Sequence, residues 1–214
     1  MARISILGGT GYAGGAIARE ATRRGHQVTS YSRRLPEQPT DGVTYVAGSV
    51  LDDSVRSQAL NGADVVVVAF APRGDMAEQM RPAAAALAAD AAKAGVRLGV
   101  VGGAGSLLAV EGGARLVDVL DLPPEMKPEV LSVAGVLDDL RSSPESLDWF
   151  YVSPGAGFGA HVPGESRGTY RVGGDVALTD DDGFSGIGGA DFAMAFVDEI
   201  ERPAHHRTRF TVAY

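Results

Sequence analysis

The 214-residue chain contains no cysteine. That single absence excludes disulfides, thiolate zinc sites and cysteine nucleophiles, and it agrees with a reducing compartment. Basic charge is also in short supply, with 19 Lys and Arg against 27 Asp and Glu, a formal net charge of −8 and a pI near 4.9. A nucleic-acid backbone calls for a clustered basic surface, so no nucleic acid is expected as a partner. Long apolar runs are missing too: too few apolar residues precede Gly8 for a signal-peptide core, and the later stretches are broken by Asp90 and Lys93. A soluble, cytoplasmic protein that needs no membrane is expected. With 45% hydrophobic and 21% charged residues, disorder is excluded as the main state. The length suits one domain, 1–214, better than two.

Glycine is plentiful, and its placement carries information. The apolar strand Arg3-Ile4-Ser5-Ile6-Leu7 runs into Gly8-Gly9-Thr10-Gly11-Tyr12-Ala13-Gly14-Gly15 and then into the helix-forming Ala16-Ile17-Ala18-Arg19-Glu20-Ala21. Gly8 permits the sharp turn, Gly11 clears the way for backbone N–H groups to approach phosphate, and Gly14 lets the helix lie close to the strand. The helix start adds unpaired N–H donors and a partial positive charge, so the motif suits a dinucleotide pyrophosphate. A nucleoside-triphosphate loop is rejected because Gly15-Ala16 stands where Lys-Ser or Lys-Thr is required.

Further strands are expected at Gln27–Tyr31, Val43–Val46, Val65–Phe70, Val96–Val101, Trp149–Val152 and Arg209–Ala213. Helices are expected from Asp52 or Asp53 to Leu60, between Asp75 and Ala94 with a break near Pro82, from Glu129 to Leu140, and from Ala190 to Ile200. Strands alternating with helices predict an α/β, doubly wound parallel sheet. The poorly patterned 107–128 segment reads as a functional loop, and the glycine-rich 155–190 segment as a small C-terminal cap with strand-like pieces at Thr169–Val172 and Val176–Thr179.

In such sheets the end of the second strand meets the adenosine ribose, where an acid would select a free 2′-hydroxyl. Here that end reads Tyr31-Ser32-Arg33-Arg34, two guanidinium groups and no carboxylate, which predicts NADP(H) over NAD. No Tyr-x-x-x-Lys pair is present to supply a proton: Lys127 has Pro123 where the tyrosine should be. The catalytic candidates are therefore Lys127, Ser106 after a central strand, Ser153 at the end of another, and His161 in the cap. Tyr151 is expected in the core. Asp180-Asp181-Asp182-Gly183 reads as a turn because Gly189 stands where a calcium loop needs Glu. Gly164-Glu165-Ser166-Arg167-Gly168 lacks the strand and helix of a nucleophile elbow. No metal site is expected.

These residues together resemble the atypical short-chain dehydrogenase/reductase-like proteins with an NAD(P)H-binding Rossmann domain, a group that includes flavin or biliverdin reductase-like and NmrA-like members. The resemblance runs along essentially the whole chain. It rests on Gly8 to Gly14, on Gly102-Gly103-Ala104-Gly105-Ser106-Leu107, on Trp149-Phe150-Tyr151-Val152-Ser153-Pro154, on Gly168-Thr169-Tyr170-Arg171-Val172-Gly173, and on the ending from Asp191 to Tyr214. It implies Gly8, Thr10, Gly11, Tyr12, Ala13 and Gly14 at the pyrophosphate, Ser32, Arg33 and Arg34 at the adenosine phosphate, and Ser49 and Val50 at adenine. Phe70, Ala71 and Pro72 would follow the middle of the cofactor, with Gly102, Gly103 and the residues through Ser106 near nicotinamide; Ser153, at the carboxyl end of its strand, is expected to face the ligand as well. Many relatives carry an acid after Gly48, whereas this chain has the uncharged Ser49. The expected function is an NADPH-dependent reductase of a small carbonyl, quinone or flavin-like acceptor. The rival is a non-catalytic NADP(H)-binding redox sensor acting through a protein partner. Otherwise the expected partners are a small-molecule substrate and, at most, a second copy in a homodimer.

Overall fold

Local sequence explains each strand and helix near the site, and a computed structural model describes all of residues 1–214. The strand β1 (Arg3–Leu7) ends at Gly8, and α1 (Tyr12–Arg23) starts four residues later with Gly11 as its N-cap. After β2 (Gln27–Ser32) and β3 (Val43–Ala47), α2 (Asp53–Leu60) leads into β4 (Val65–Val68). The all-valine β4 is buried along its whole length, as a strand covered on both faces must be. It ends two residues short of the expected Phe70, so Ala69 and Phe70 leave the sheet.

A 3₁₀ turn (Gly74–Met76) precedes α3 (Met80–Ala94), which begins close to Pro82 and stops at Gly95 in a left-handed conformation, φ 66°. Pro82 falls in the first turn of α3, where no helical hydrogen bond is lost. The strand β5 (Arg97–Val101), the short α4 (Leu116–Val119), α5 (Lys127–Arg141) and β6 (Trp149–Pro154) follow. Beyond the cap strand β7 (Arg171–Gly173) come α6 (Gly189–Glu201) and β8 (Thr208–Ala213).

The eight strands form one sheet in the order β3-β2-β1-β4-β5-β6-β8-β7, every pair parallel except β7 with β8. The doubly wound architecture is as expected, with an antiparallel edge added. The cap holds less strand than expected: Thr169 and Tyr170 lie outside β7, and Val176–Thr179 contributes only a single bridge, Val176 to Leu108. Its partner is a loop residue, so no ladder extends from it. One hydrophobic cluster lies under α2, α3 and α5, and a second joins α1 and α6 to the opposite face of the sheet. The order of the strands reverses between β1 and β4, which opens a crevice at their carboxyl ends. No helix is long and apolar enough to cross a membrane.

Candidate functional site

A cleft of about 1020 Å³ runs along the carboxyl ends of β1, β2, β4, β5 and β6. One end is made of backbone. Gly8 has φ 92°, and a Cβ there would stand 2.6 Å from the Ala69 carbonyl oxygen; a Cβ on Gly14 would stand 2.4 Å from that of Gly8. No side chain other than hydrogen fits at either position. The Gly11 N–H donates to the Gly8 carbonyl (3.0 Å) and Gly15 N–H to that of Gly11 (2.8 Å), while the N–H groups of Tyr12 and Ala13 have no acceptor. Those free donors at a helix N-terminus, beside a floor that excludes every Cβ, are the features an oxyanion such as pyrophosphate requires. A dinucleotide therefore fits the residues present.

Gly8, Thr10, Gly11, Tyr12 and Ala13 line the cleft; Gly14 sits behind them, against the turn. Ser32, Arg33 and Arg34 line the cleft at the end of β2, where the Ser32 hydroxyl donates to the Arg34 carbonyl (2.9 Å). Arg33 is ion-paired with Asp75, while Arg34 has no acidic partner. Ser49 and Val50 also face the cleft, although the Ser49 hydroxyl already accepts the Leu51 N–H (3.2 Å). Phe70, Ala71 and Pro72, freed from β4, form one wall.

The other end is built differently. Gly102 and Gly103 form its floor, with the fully buried Tyr151 directly beneath: a Cβ on Gly102 would meet the Tyr151 ring at 2.0 Å. The Tyr151 hydroxyl donates to the Val133 carbonyl (3.1 Å) and accepts the Gly103 N–H (3.3 Å). Burial pushes its pKa up to about 12. Tyr151 is thus a neutral strut, as its expected core position implies. Leu116, Leu120, Leu122, Met126, Val130 and Phe158 make this end apolar, and Arg73 bridges its wall to Glu129 (2.8 Å). In the sequence the 107–128 loop and the cap stand out by their lack of pattern, whereas Arg73, Asp75 and Glu129 give no signal as cleft residues. Only tertiary pairing reveals those three charges.

Of the four catalytic candidates, His161 alone lines the cleft. Ser153 is fully buried, its Oγ 3.4 Å from the Arg209 guanidinium, and Ser106 is buried with its Oγ 3.5 Å from the same group. Arg209 is held by Asp175 (2.7 Å), so the two serines close a buried polar knot below the floor. The period of two explains the difference, because Ser153 shares the face of Tyr151 and not the rim of the strand. Lys127 is exposed at the start of α5 and does not form part of the cleft wall. Ser106, Ser153 and Lys127, expected at the substrate, and Ser153, expected at the cofactor as well, therefore do not face the cleft.

Cap and cradle are tied together. The Tyr12 hydroxyl donates to the Pro163 carbonyl (2.7 Å), and its ring meets Phe158 edge-on at 5.2 Å. Asp191, at the start of α6, accepts from the Arg167 and Gly168 N–H groups and the Ser166 and Tyr214 hydroxyls. Ser166 is thus a turn anchor. Asp180 likewise accepts the N–H groups of Asp182 and Phe184, the turn that was expected there.

The model of a family described as NAD(P)H-binding matches residues 8–200. The chain belongs to this NAD(P)H-binding family. It is similar to the uncharacterized protein YwnB of Bacillus subtilis (strain 168), 34% identical over 212 residues that cover 98% of this chain and 97% of YwnB. A Streptococcus pneumoniae TIGR4 protein provisionally described as an NADH-flavin reductase shares 31% identity at a TM-score of 0.84, over 100% of this chain and 99% of that one. A Burkholderia pseudomallei protein provisionally described as exported shares 38% identity at a TM-score of 0.86, with both chains covered in full. The protein is an atypical short-chain dehydrogenase/reductase-like, NAD(P)H-binding member with a Rossmann fold.

Proposed function

We propose that this protein is an NADPH-dependent reductase that passes hydride to a small flavin-like or quinone acceptor. The observation that carries the proposal is one continuous cleft with two chemically distinct ends, a glycine cradle flanked by Arg33 and Arg34 and an apolar bay over Gly102 and Gly103. The free N–H groups of Tyr12 and Ala13 would hold pyrophosphate, Ser32, Arg33 and Arg34 the 2′-phosphate, and Ser49 and Val50 adenine. Phe70, Ala71 and Pro72 would guide the middle of the cofactor, and Gly102 and Gly103 would seat nicotinamide. The bound dinucleotide supplies hydride, while the protein orients it and keeps water out.

The acceptor class follows from what the bay can donate. Reducing an aldehyde puts charge on one oxygen, and a positioned acid there contributes about 10²–10⁴ in rate. Tyr151 is committed to Val133, the two serines face Arg209, and His161 is the imidazole at the cleft. Flavins and quinones spread the incoming charge over a ring system and depend less on an acid, so they suit the bay better than a simple carbonyl. His161 is the proposed proton donor where one is used. We place the reaction in the cytoplasm, in keeping with the cysteine-free chain, although the Burkholderia relative is described as exported.

The missing Tyr-x-x-x-Lys pair favours a second reading, a redox sensor that binds NADP(H) without turnover and acts through a partner. Purified protein mixed with NADPH and a panel of flavins, quinones and aldehydes separates the two. Oxidation above the no-enzyme rate, fastest with flavins or quinones, supports the reductase. Tight NADPH binding with no oxidation across the panel supports the sensor.

A further inference from the structure

Arg33 does not face the cleft alone. Its guanidinium is ion-paired with Asp75, whose side chain reaches across from the 3₁₀ turn Gly74–Met76. Arg33 and Asp75 are both well exposed, at 54% and 66% of their side-chain surface, and both line the cleft. An exposed pair of this kind contributes little to stability. The turn that carries Asp75 is nonetheless fixed on both sides. Met76 is buried in the core that also holds Met80, its N–H donates to the Arg73 carbonyl (3.1 Å), and Arg73 is itself bridged to Glu129 (2.8 Å). Asp75 is therefore an exposed carboxylate on an anchored turn, aimed at the group assigned to the cofactor phosphate.

We infer that Asp75 is a built-in competitor for the adenosine 2′-phosphate and sets how strongly the cleft prefers NADPH over NADH. The inference rests on the assignment of Arg33 to that phosphate. A phosphate monoester carries about −1.5 to −2 charge at neutral pH. To reach Arg33 it must displace the carboxylate or share the guanidinium with it, and either route places like charges together. NADH carries a hydroxyl at this position and meets no such repulsion. Arg34, with no acidic partner, stays available to phosphate, so the site keeps a preference for NADPH while Asp75 limits it. Discrimination between the two cofactors is thus a difference between one attractive and one repulsive element on the same guanidinium.

The test uses Asp75→Asn in the full chain, with NADPH and NADH titrated by fluorescence. NADPH should bind about three- to tenfold tighter, the range that relief of an exposed charge contact allows, while NADH changes little. The gain should shrink as salt is raised, because exposed charges are screened. Adding Arg33→Ala to the Asp75→Asn chain should erase it. If Asp75→Asn leaves NADPH unchanged or weaker while Arg33→Ala still impairs it, Asp75 merely positions Arg33 and the inference falls alone. If Arg33→Ala affects neither cofactor, the 2′-phosphate assignment falls with it.

Discussion

The two ends of the cleft are made of different materials. At the cradle, the groups that face a ligand are backbone N–H donors over glycines, and a Cβ at Gly8 or Gly14 would lie within 2.6 Å of backbone oxygen. At the bay, the wall is side chain: Leu116, Leu120, Met126 and Phe158, drawn from a loop, a short helix and the cap. A backbone site tolerates almost no change and recognises what every dinucleotide shares. A side-chain site can be rebuilt residue by residue, and it decides what else enters. In the proposed function, cofactor class is set at one end and acceptor choice at the other.

That contrast predicts a graded set of responses. Gly8→Ala should be the most damaging change, because it combines a positive φ with a backbone clash; a loss of about 2–4 kcal/mol by denaturant unfolding, with cofactor binding falling alongside, is expected. An unchanged midpoint would show the cradle to be softer than its geometry. Next comes Arg33→Ala with Arg34→Ala, expected to weaken NADPH by about 1.5–3 kcal/mol and spare NADH. Equal losses for both cofactors in a fluorescence titration would remove the basis for 2′-phosphate recognition.

Acid probes the junction of the two ends. Burial works to raise the Asp191 pKa, but hydrogen bonds from Tyr214, the Arg167 N–H, Ser166 and the Gly168 N–H outweigh it and leave the group below its ordinary 3.8. A depressed pKa means the stabilisation is complete above the ordinary value and is lost as pH falls through the lower folded-state value. Hydrogen exchange at the Arg167 and Gly168 amides should therefore lose protection below about pH 4, before the β-sheet does. Simultaneous loss in cap and sheet would show that Asp191 does not hold the cap separately. The smallest effect is expected in the bay, where His161→Ala should lower flavin or quinone turnover less than about threefold, against the 10²–10⁴ of an essential acid. A loss in that larger range would make His161 the required proton donor.

The cradle could be read in the sequence because its rules are local. A strand, three spaced glycines and a helix start lie within one short stretch, and β4 announces itself by four valines. The bay was legible only in outline. The 107–128 loop and the cap stood out by their lack of pattern, yet Val176–Thr179 failed to form a strand because its partner, Leu108, lies in a distant loop. Ser106 and Ser153 were correctly placed near strand ends, but the direction of their side chains depends on Arg209 and Asp175, far along the chain. The Arg33–Asp75 and Arg73–Glu129 pairs likewise join segments that only the folded sheet brings together.

With pyrophosphate in the cradle, the proposed reductase holds nicotinamide in one orientation over the floor of the bay, ready for transfer. NADPH carrying deuterium at one or the other C4 position, incubated with the protein and a flavin acceptor, tests it most directly. Oxidation above the no-enzyme rate, with label lost from one C4 face only, is the expected result; binding without oxidation, or equal loss from both faces, would overturn this orientation.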